Sequence, residues 1–157
     1  FRLLFPILTM LDRGNDCDTG YDRLASRLGS DDTLITLNYD TMLDSALHRR
    51  GWDAKTGYAL SGNKGKVKWE SVPLPNGQIP LRSTLIKIHG STNWFVRGSV
   101  SNLKKVFASK PVKVTRPREN EIAGHVRQVV PPIYGKIFEH DHWRKLWTTA
   151  FADLCDA

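Results

Sequence analysis

The chain has 157 residues, of which 40% are hydrophobic and 25% charged, and this is the profile of one globular domain. Its two cysteines, Cys17 and Cys155, exclude a disulfide framework and a four-cysteine zinc site, and no apolar run approaches the roughly 20 residues that span a bilayer. We therefore expect a cytoplasmic protein without zinc or a membrane partner, whose net charge of +7 permits nucleic acid as a ligand.

The first half of the chain predicts a strand followed by a helix. Residues 21–28 have the pattern of a short helix that ends at Gly29. The β-branched and apolar run 33–37 predicts a buried strand, and residues 41–50 have apolar side chains at helical spacing up to Gly51. This order of strand, short turn and helix is the unit of a doubly wound, mostly parallel α/β sheet.

The second half predicts further strands and a final helix. A candidate strand over 66–72 is followed by a core strand over 85–88 and another short strand over 91–96. Residues 97–128 are polar and basic and give no clear assignment. Apolar side chains recur at helical spacing over 139–156, which predicts a helix with one broad apolar face.

Two short polar segments follow predicted strands. Residues 36–40, Thr-Leu-Asn-Tyr-Asp, lie where the first strand meets its helix, and residues 89–91, His-Gly-Ser, lie where a later strand ends. In open α/β sheets, ligands bind outside the carboxyl ends of the strands. Both segments are therefore candidates for one functional site.

Three motifs in this order resemble the bacterial branch of the sirtuin-like (silent information regulator two) superfamily. They are Asn-Tyr-Asp at 38–40, His-Gly-Ser-x-Asn-Trp at 89–94, and Pro-Pro at 131–132 before a late helix with Trp143, Ala150 and Leu154. The resemblance covers residues 30–157. It implies that residues 1–157 are a single partial domain, Rossmann-like and incomplete at both ends, without the family's glycine-rich opening strand and helix and its closing strand.

The resemblance also implies a function. Such domains bind NAD as substrate and cleave its nicotinamide–ribose bond, with water as the acceptor in many bacterial relatives, where NAD depletion defends against phage. Asn38 and His89 are then the expected catalytic residues: the amide orients the water, and the imidazole acts as base or binds the ribose hydroxyls. The expected cofactor-binding residues are Thr36, Asp40, Gly90 and Ser91. We expect the full-length protein to be active, the fragment alone to be inactive, and a homo-oligomer with further domains in the same chain.

Simpler interpretations of the same residues stay open. Asp40 lies just before a predicted helix and suits its N-cap, Asn38 is a common turn former, and a histidine after a strand, such as His89, often has a structural role. His140 and His142 do not share a helical face, so we expect no metal site.

Two alternative functions also stay open. One is a non-catalytic domain that senses NAD or ADP-ribose or mediates assembly. The other, which is not favoured, is a basic nucleic-acid-binding module. It requires the basic residues of two loop-like stretches, over 64–68 and 104–118, to form one surface, whereas solvated loops explain them more simply.

Overall fold

The computed structural model contains both helices and strands, among them a parallel strand pair, which is consistent with the α/β class. The structure describes residues 20–58, 69, 73–75, 77–97, 106–108, 125–129 and 141–156. Its elements are α1 (Gly20–Arg27), β1 (Thr33–Thr36), α2 (Met42–Arg49), α3 (Ala54–Gly57), β2 (Thr84–Lys87), β3 (Gly90–Arg97), β4 (Val106–Ala108), β5 (His125–Val129) and α4 (Asp141–Asp156). Among these ranges, none of the helices combines the length and the apolar character that crossing a membrane requires.

The strands β1 and β2 form a parallel pair, as the strand–helix order predicted. Thr33 pairs with Thr84 and Thr36 with Lys87, and beyond the strands the Ile88 N–H donates to the Thr36 carbonyl at 3.3 Å. The expectation that residues 33–37 are buried is wrong. The residues of β1 are exposed or half-buried, because β2 is the one strand that pairs with β1 in the described part of the chain.

The other three strands form an antiparallel sheet in which β3 lies between β4 and β5. The strand predicted over 91–96 is confirmed as the longer β3, whereas β4 and all but the last residue of β5 lie in the stretch 97–128 that the sequence left unassigned. Among the described strand pairs, one is parallel and two are antiparallel. The doubly wound, mostly parallel sheet therefore stays a prediction.

The helices α1, α2 and α4 agree with the predicted ones to within two residues at each end. Gly51 follows α2 with φ of 78°, a left-handed conformation that a side chain disfavours, so its predicted role in ending the helix is confirmed. The candidate strand over 66–72 lies outside the described residues except for Trp69, which is not in a strand.

Aromatic side chains form much of the core. Trp52 is fully buried, and its indole N–H donates to the Ser83 carbonyl at 2.8 Å. The Tyr58 ring packs edge-on against two indoles, with its centroid 4.9 Å from that of Trp52 and 5.4 Å from that of Trp94. These contacts join the residues that follow α2 and α3 to β3. Edge-on aromatic pairs of this kind add stability beyond the area they bury.

Gly57 leaves no space for a side chain. A Cβ atom at this position would lie 2.0 Å from Nε1 of Trp52, a rigid and buried ring. Gly57→Ala is therefore expected to lower the free energy of unfolding by about 1–3 kcal/mol, the usual cost of overpacking. Urea unfolding measures this change. The control is Gly20→Ala, whose Cβ meets no atom within 4 Å, and a loss as large as that of Gly57→Ala would contradict the explanation.

Candidate functional site

The parallel register brings the two polar segments to the same edge of the sheet. Thr36 pairs with Lys87, and Asn38 and His89 each follow two residues after this pair. Because parallel strands end at the same edge, both segments begin at the carboxyl end of the β1–β2 pair.

Hydrogen bonds join the segment 38–40 directly to the segment after β2. The Tyr39 carbonyl accepts from the Thr92 N–H at 2.9 Å and from the Ser91 hydroxyl at 3.3 Å. The Asp40 carbonyl accepts from the Lys87 ammonium group. The backbone next to Asn38 is therefore fixed against the residues on both sides of His89.

Asn38 is exposed, and its side chain lies against α1. Its Nδ2 donates to the Tyr21 hydroxyl at 3.1 Å, while its backbone N–H donates to Oγ1 of Thr36 at 3.1 Å. The first bond orients the amide from a neighbouring helix. The second gives Thr36, an expected cofactor-binding residue, a local role at the end of β1.

Asp40 stabilises the start of α2. Its Oδ1 accepts from the Met42 N–H at 3.0 Å, and the residue is half-buried. The N-cap position itself is held by Thr41, whose side chain makes no capping bond, so the expectation of Asp40 as N-cap is off by one residue. Asp40 nevertheless bonds the first N–H of the helix from the preceding position. The expected role in binding NAD stays a prediction, and the two roles are compatible because a carboxylate has a second oxygen.

His89 is half-buried between two aromatic rings. Its ring centroid lies 6.0 Å from that of Tyr39 and 5.9 Å from that of Trp147 on α4. Burial raises the pKa of the Tyr39 hydroxyl above its ordinary value, so this ring stays neutral to a more alkaline pH than an exposed tyrosine does. Trp147 also packs against Phe151, which is 55% exposed. The late helix thus contributes to the site through an aromatic contact, which the sequence did not predict.

Gly90 and Ser91 lie beneath the surface. Gly90 has φ of 81°, in the left-handed region that favours glycine, and lets the chain turn sharply from His89 into β3. Ser91 has no exposed surface, and its hydroxyl donates to the Tyr39 carbonyl. Their expected contact with NAD stays a prediction. In this conformation, both residues shape the backbone around His89.

Sequence reasoning missed a buried polar network behind these loops. Asn93 donates to the Tyr58 hydroxyl at 3.3 Å, Tyr58 donates to Oδ1 of Asp44, and Lys87 donates to Oδ2 of Asp44 at 2.8 Å. The side chains of Lys87 and Asp44 are 1% and 0% exposed. A lysine inside the apolar run 85–88 was the available signal, since lysine is almost never buried without a partner.

The described residues contain no group of three or more His, Cys, Asp or Glu side chains that could hold a metal ion. The basic stretches 64–68 and 104–118 lie outside the described residues, apart from 106–108 in β4. No family model, curated protein or solved structure matches this chain. The likeness to the sirtuin-like branch therefore rests on the motifs alone.

The buried polar network of Asn93, Tyr58, Asp44 and Lys87 predicts that the free energy of unfolding depends on pH in the alkaline range. Burial, together with the charge of Asp44, raises the pKa of Tyr58 well above its ordinary value. Above about pH 10, the unfolded chain loses this proton while the folded chain keeps it, so the free energy of unfolding falls as pH rises. Tyr58→Phe should reduce this fall, as measured by urea unfolding between about pH 9 and about pH 11. Equal slopes in the two proteins would contradict the assignment.

Proposed function

We propose that this domain binds NAD and hydrolyses its nicotinamide–ribose bond, with Asn38 and His89 as the residues that act on the ribose. The observation that supports this proposal is the parallel β1–β2 register. It brings an exposed amide and a half-buried imidazole to one edge of the sheet, on two loops that are hydrogen-bonded to each other. Open α/β sheets bind their ligands at this kind of edge.

The chemistry needs few groups, and the residues present fit it. Nicotinamide in NAD is a cationic leaving group that departs neutral, so the reaction requires no general acid. The transition state resembles an oxocarbenium ion, and water attacks the anomeric carbon. The Asn38 amide would orient this water, with its own position set by Tyr21. The His89 imidazole would accept the proton of the water or bind the ribose hydroxyls, because its ordinary pKa lies near neutrality.

Asp40 and Gly90 would bind the rest of the nicotinamide riboside. One Asp40 oxygen accepts from the Met42 N–H, and the other would accept a hydrogen bond from the nicotinamide carboxamide. Gly90 would allow a close approach of its backbone. In the cell, such hydrolysis would deplete NAD, and we propose defence against phage as its use, by a protein that forms homo-oligomers.

The double variant Asn38→Ala/His89→Ala tests the assignment. Nicotinamide release from NAD by the full-length protein is expected to fall by about 10²–10⁴-fold, the usual contribution of a general base. Matched controls are Gln78→Ala, another exposed amide, and His48→Ala, another half-buried histidine beside an indole (Trp69, 4.6 Å between centroids). Both controls should keep wild-type activity.

The outcomes also separate the alternatives. Retained activity in the double variant would refute the roles of Asn38 and His89. Calorimetric binding of NAD or ADP-ribose without nicotinamide release would favour the sensing domain instead. DNA binding that weakens steeply with salt, in the absence of NAD binding, would favour the nucleic-acid-binding module.

Two substitutions of Asp40 separate its structural role from its proposed role in binding. Asp40→Ala removes the bond to the Met42 N–H and should lower the free energy of unfolding by about 1 kcal/mol, whereas Asp40→Ser keeps a capping oxygen and should lose less. Both remove the oxygen proposed to bind the carboxamide, so KM for NAD should rise on the order of tenfold in each. A wild-type KM in both variants would leave Asp40 as a cap alone.

A further inference from the structure

The buried ion pair between Lys87 and Asp44 has a large desolvation penalty. Both charges are removed from water, with 1% and 0% of the side chains exposed, and the desolvation of two ions can exceed their mutual attraction. Well-packed apolar side chains often replace such pairs without loss of stability. Stability alone is therefore a weak explanation for a lysine at the end of β2. The contacts of the Lys87 ammonium group point to a different role.

Lys87 contacts the loop that carries Asn38. In addition to Asp44, its ammonium group donates to the backbone carbonyl of Asp40. This carbonyl precedes the first hydrogen-bonded turn of α2, in which the Ser45 N–H donates to the Thr41 carbonyl, so Lys87 supplies the donor from outside the helix.

Asp44, which accepts the hydrogen bond from Lys87, is also held in place. Asp44 lies in α2, where it accepts from the Tyr58 hydroxyl, and Tyr58 in turn accepts from the amide of Asn93 in β3. Because Tyr58 lies just after α3 and is itself bonded to β3, Asp44 is held from outside its own helix and has little freedom to follow a shift of Lys87. The ammonium group is thereby held at one position relative to the loop 38–40.

We infer that Lys87 and Asp44 are positioning residues, which lock the loop 38–40 against the segment of His89 through the Asp40 carbonyl. The link to catalysis rests on the proposed NAD hydrolysis, but the lock itself does not. The Tyr39 carbonyl is bonded to Ser91 and Thr92, so the two consecutive carbonyls of this loop are both bonded to the β2–β3 segment. A displacement of about 1 Å in a catalytic group can cost about 10²-fold in rate, which gives such a lock a function.

The double variant Asp44→Asn/Lys87→Met tests the lock without leaving a buried charge unpaired. Asn at position 44 keeps an acceptor for Tyr58, and Met fills the volume of the lysine stem while removing the donor to the Asp40 carbonyl. The control is Ile86→Val, a small core deletion at the neighbouring position of β2, where Ile86 is fully buried.

Residue-resolved hydrogen exchange of the full-length protein is the first measurement. The amides of Met42 and Thr92 report on the lock, because they donate to Asp40 and to the Tyr39 carbonyl. The Thr84 amide donates to the Asp32 carbonyl at the opposite end of the strand pair and reports on the rest of the fold. Met42 and Thr92 should exchange faster on the order of tenfold, the effect of losing a hydrogen bond from a charged donor, with Thr84 unchanged. Ile86→Val should show no such selectivity.

Nicotinamide release is the second measurement. In the double variant, kcat should fall by about 10²-fold, because the loop that carries Asn38 is misplaced, and KM for NAD should rise as well, because Asp40 lies on the same loop. Unchanged exchange at Met42 and Thr92, or equal acceleration at Thr84, would overturn the lock, whereas faster exchange at Met42 and Thr92 with a wild-type kcat would overturn its positioning role in catalysis. If the wild-type protein releases no nicotinamide, the proposed function fails, and the exchange pattern still decides whether the lock exists.

Discussion

The parallel pairing of β1 with β2 is the constraint on which the arrangement of the site depends. A parallel pair needs a crossover connection, here the segment with α2 and α3, and its strands end at the same edge. Residues that are 51 positions apart in the chain, such as Thr36 and Lys87, therefore become neighbours. A slip of one residue would move each side chain of β2 to the opposite face of the sheet and Lys87 away from Asp44. The register thus decides both the core and the polar network.

The buried polar network restricts the pairing registers that β1 and β2 can adopt. Apolar contacts between Leu34, Ile35 and their partners in β2 tolerate small shifts, since dispersion and burial are not directional. An ion pair at 2.8 Å inside a core is directional, and breaking it would leave a charge buried without compensation, at about 3–5 kcal/mol. Lys87 and Asp44 therefore penalise alternative registers more than they stabilise the native one.

Features of the fold that depend on interactions between neighbouring residues could be predicted from the sequence, and features that depend on residues distant in the chain could not. The helices α1, α2 and α4 and the strands β1 and β2 were predictable because their signals are local: apolar spacing, β-branched runs and Gly51 at a helix end. The strands β4 and β5 were not, since they lie in a polar and basic stretch and owe their pairing to β3. The edge at which Asn38 and His89 lie follows from strand order. The partner of Lys87 does not, because Asp44 lies in a helix 43 residues earlier and no local pattern marks it.

The candidate site combines a fixed backbone with accessible side chains. The loop 38–40 is bonded to its surroundings through the carbonyls of Tyr39 and Asp40, which accept from a buried hydroxyl, an amide and an ammonium group. Backbone acceptors need no particular side chain, so the side chain of Asn38 remains exposed and that of His89 half-exposed at the edge of the sheet. Two side chains of the loop also make bonds of their own, since Asn38 donates to the Tyr21 hydroxyl and one oxygen of Asp40 accepts from the Met42 N–H. A loop built in this way can present polar side chains to a ligand without losing its own position, as pre-organised binding requires.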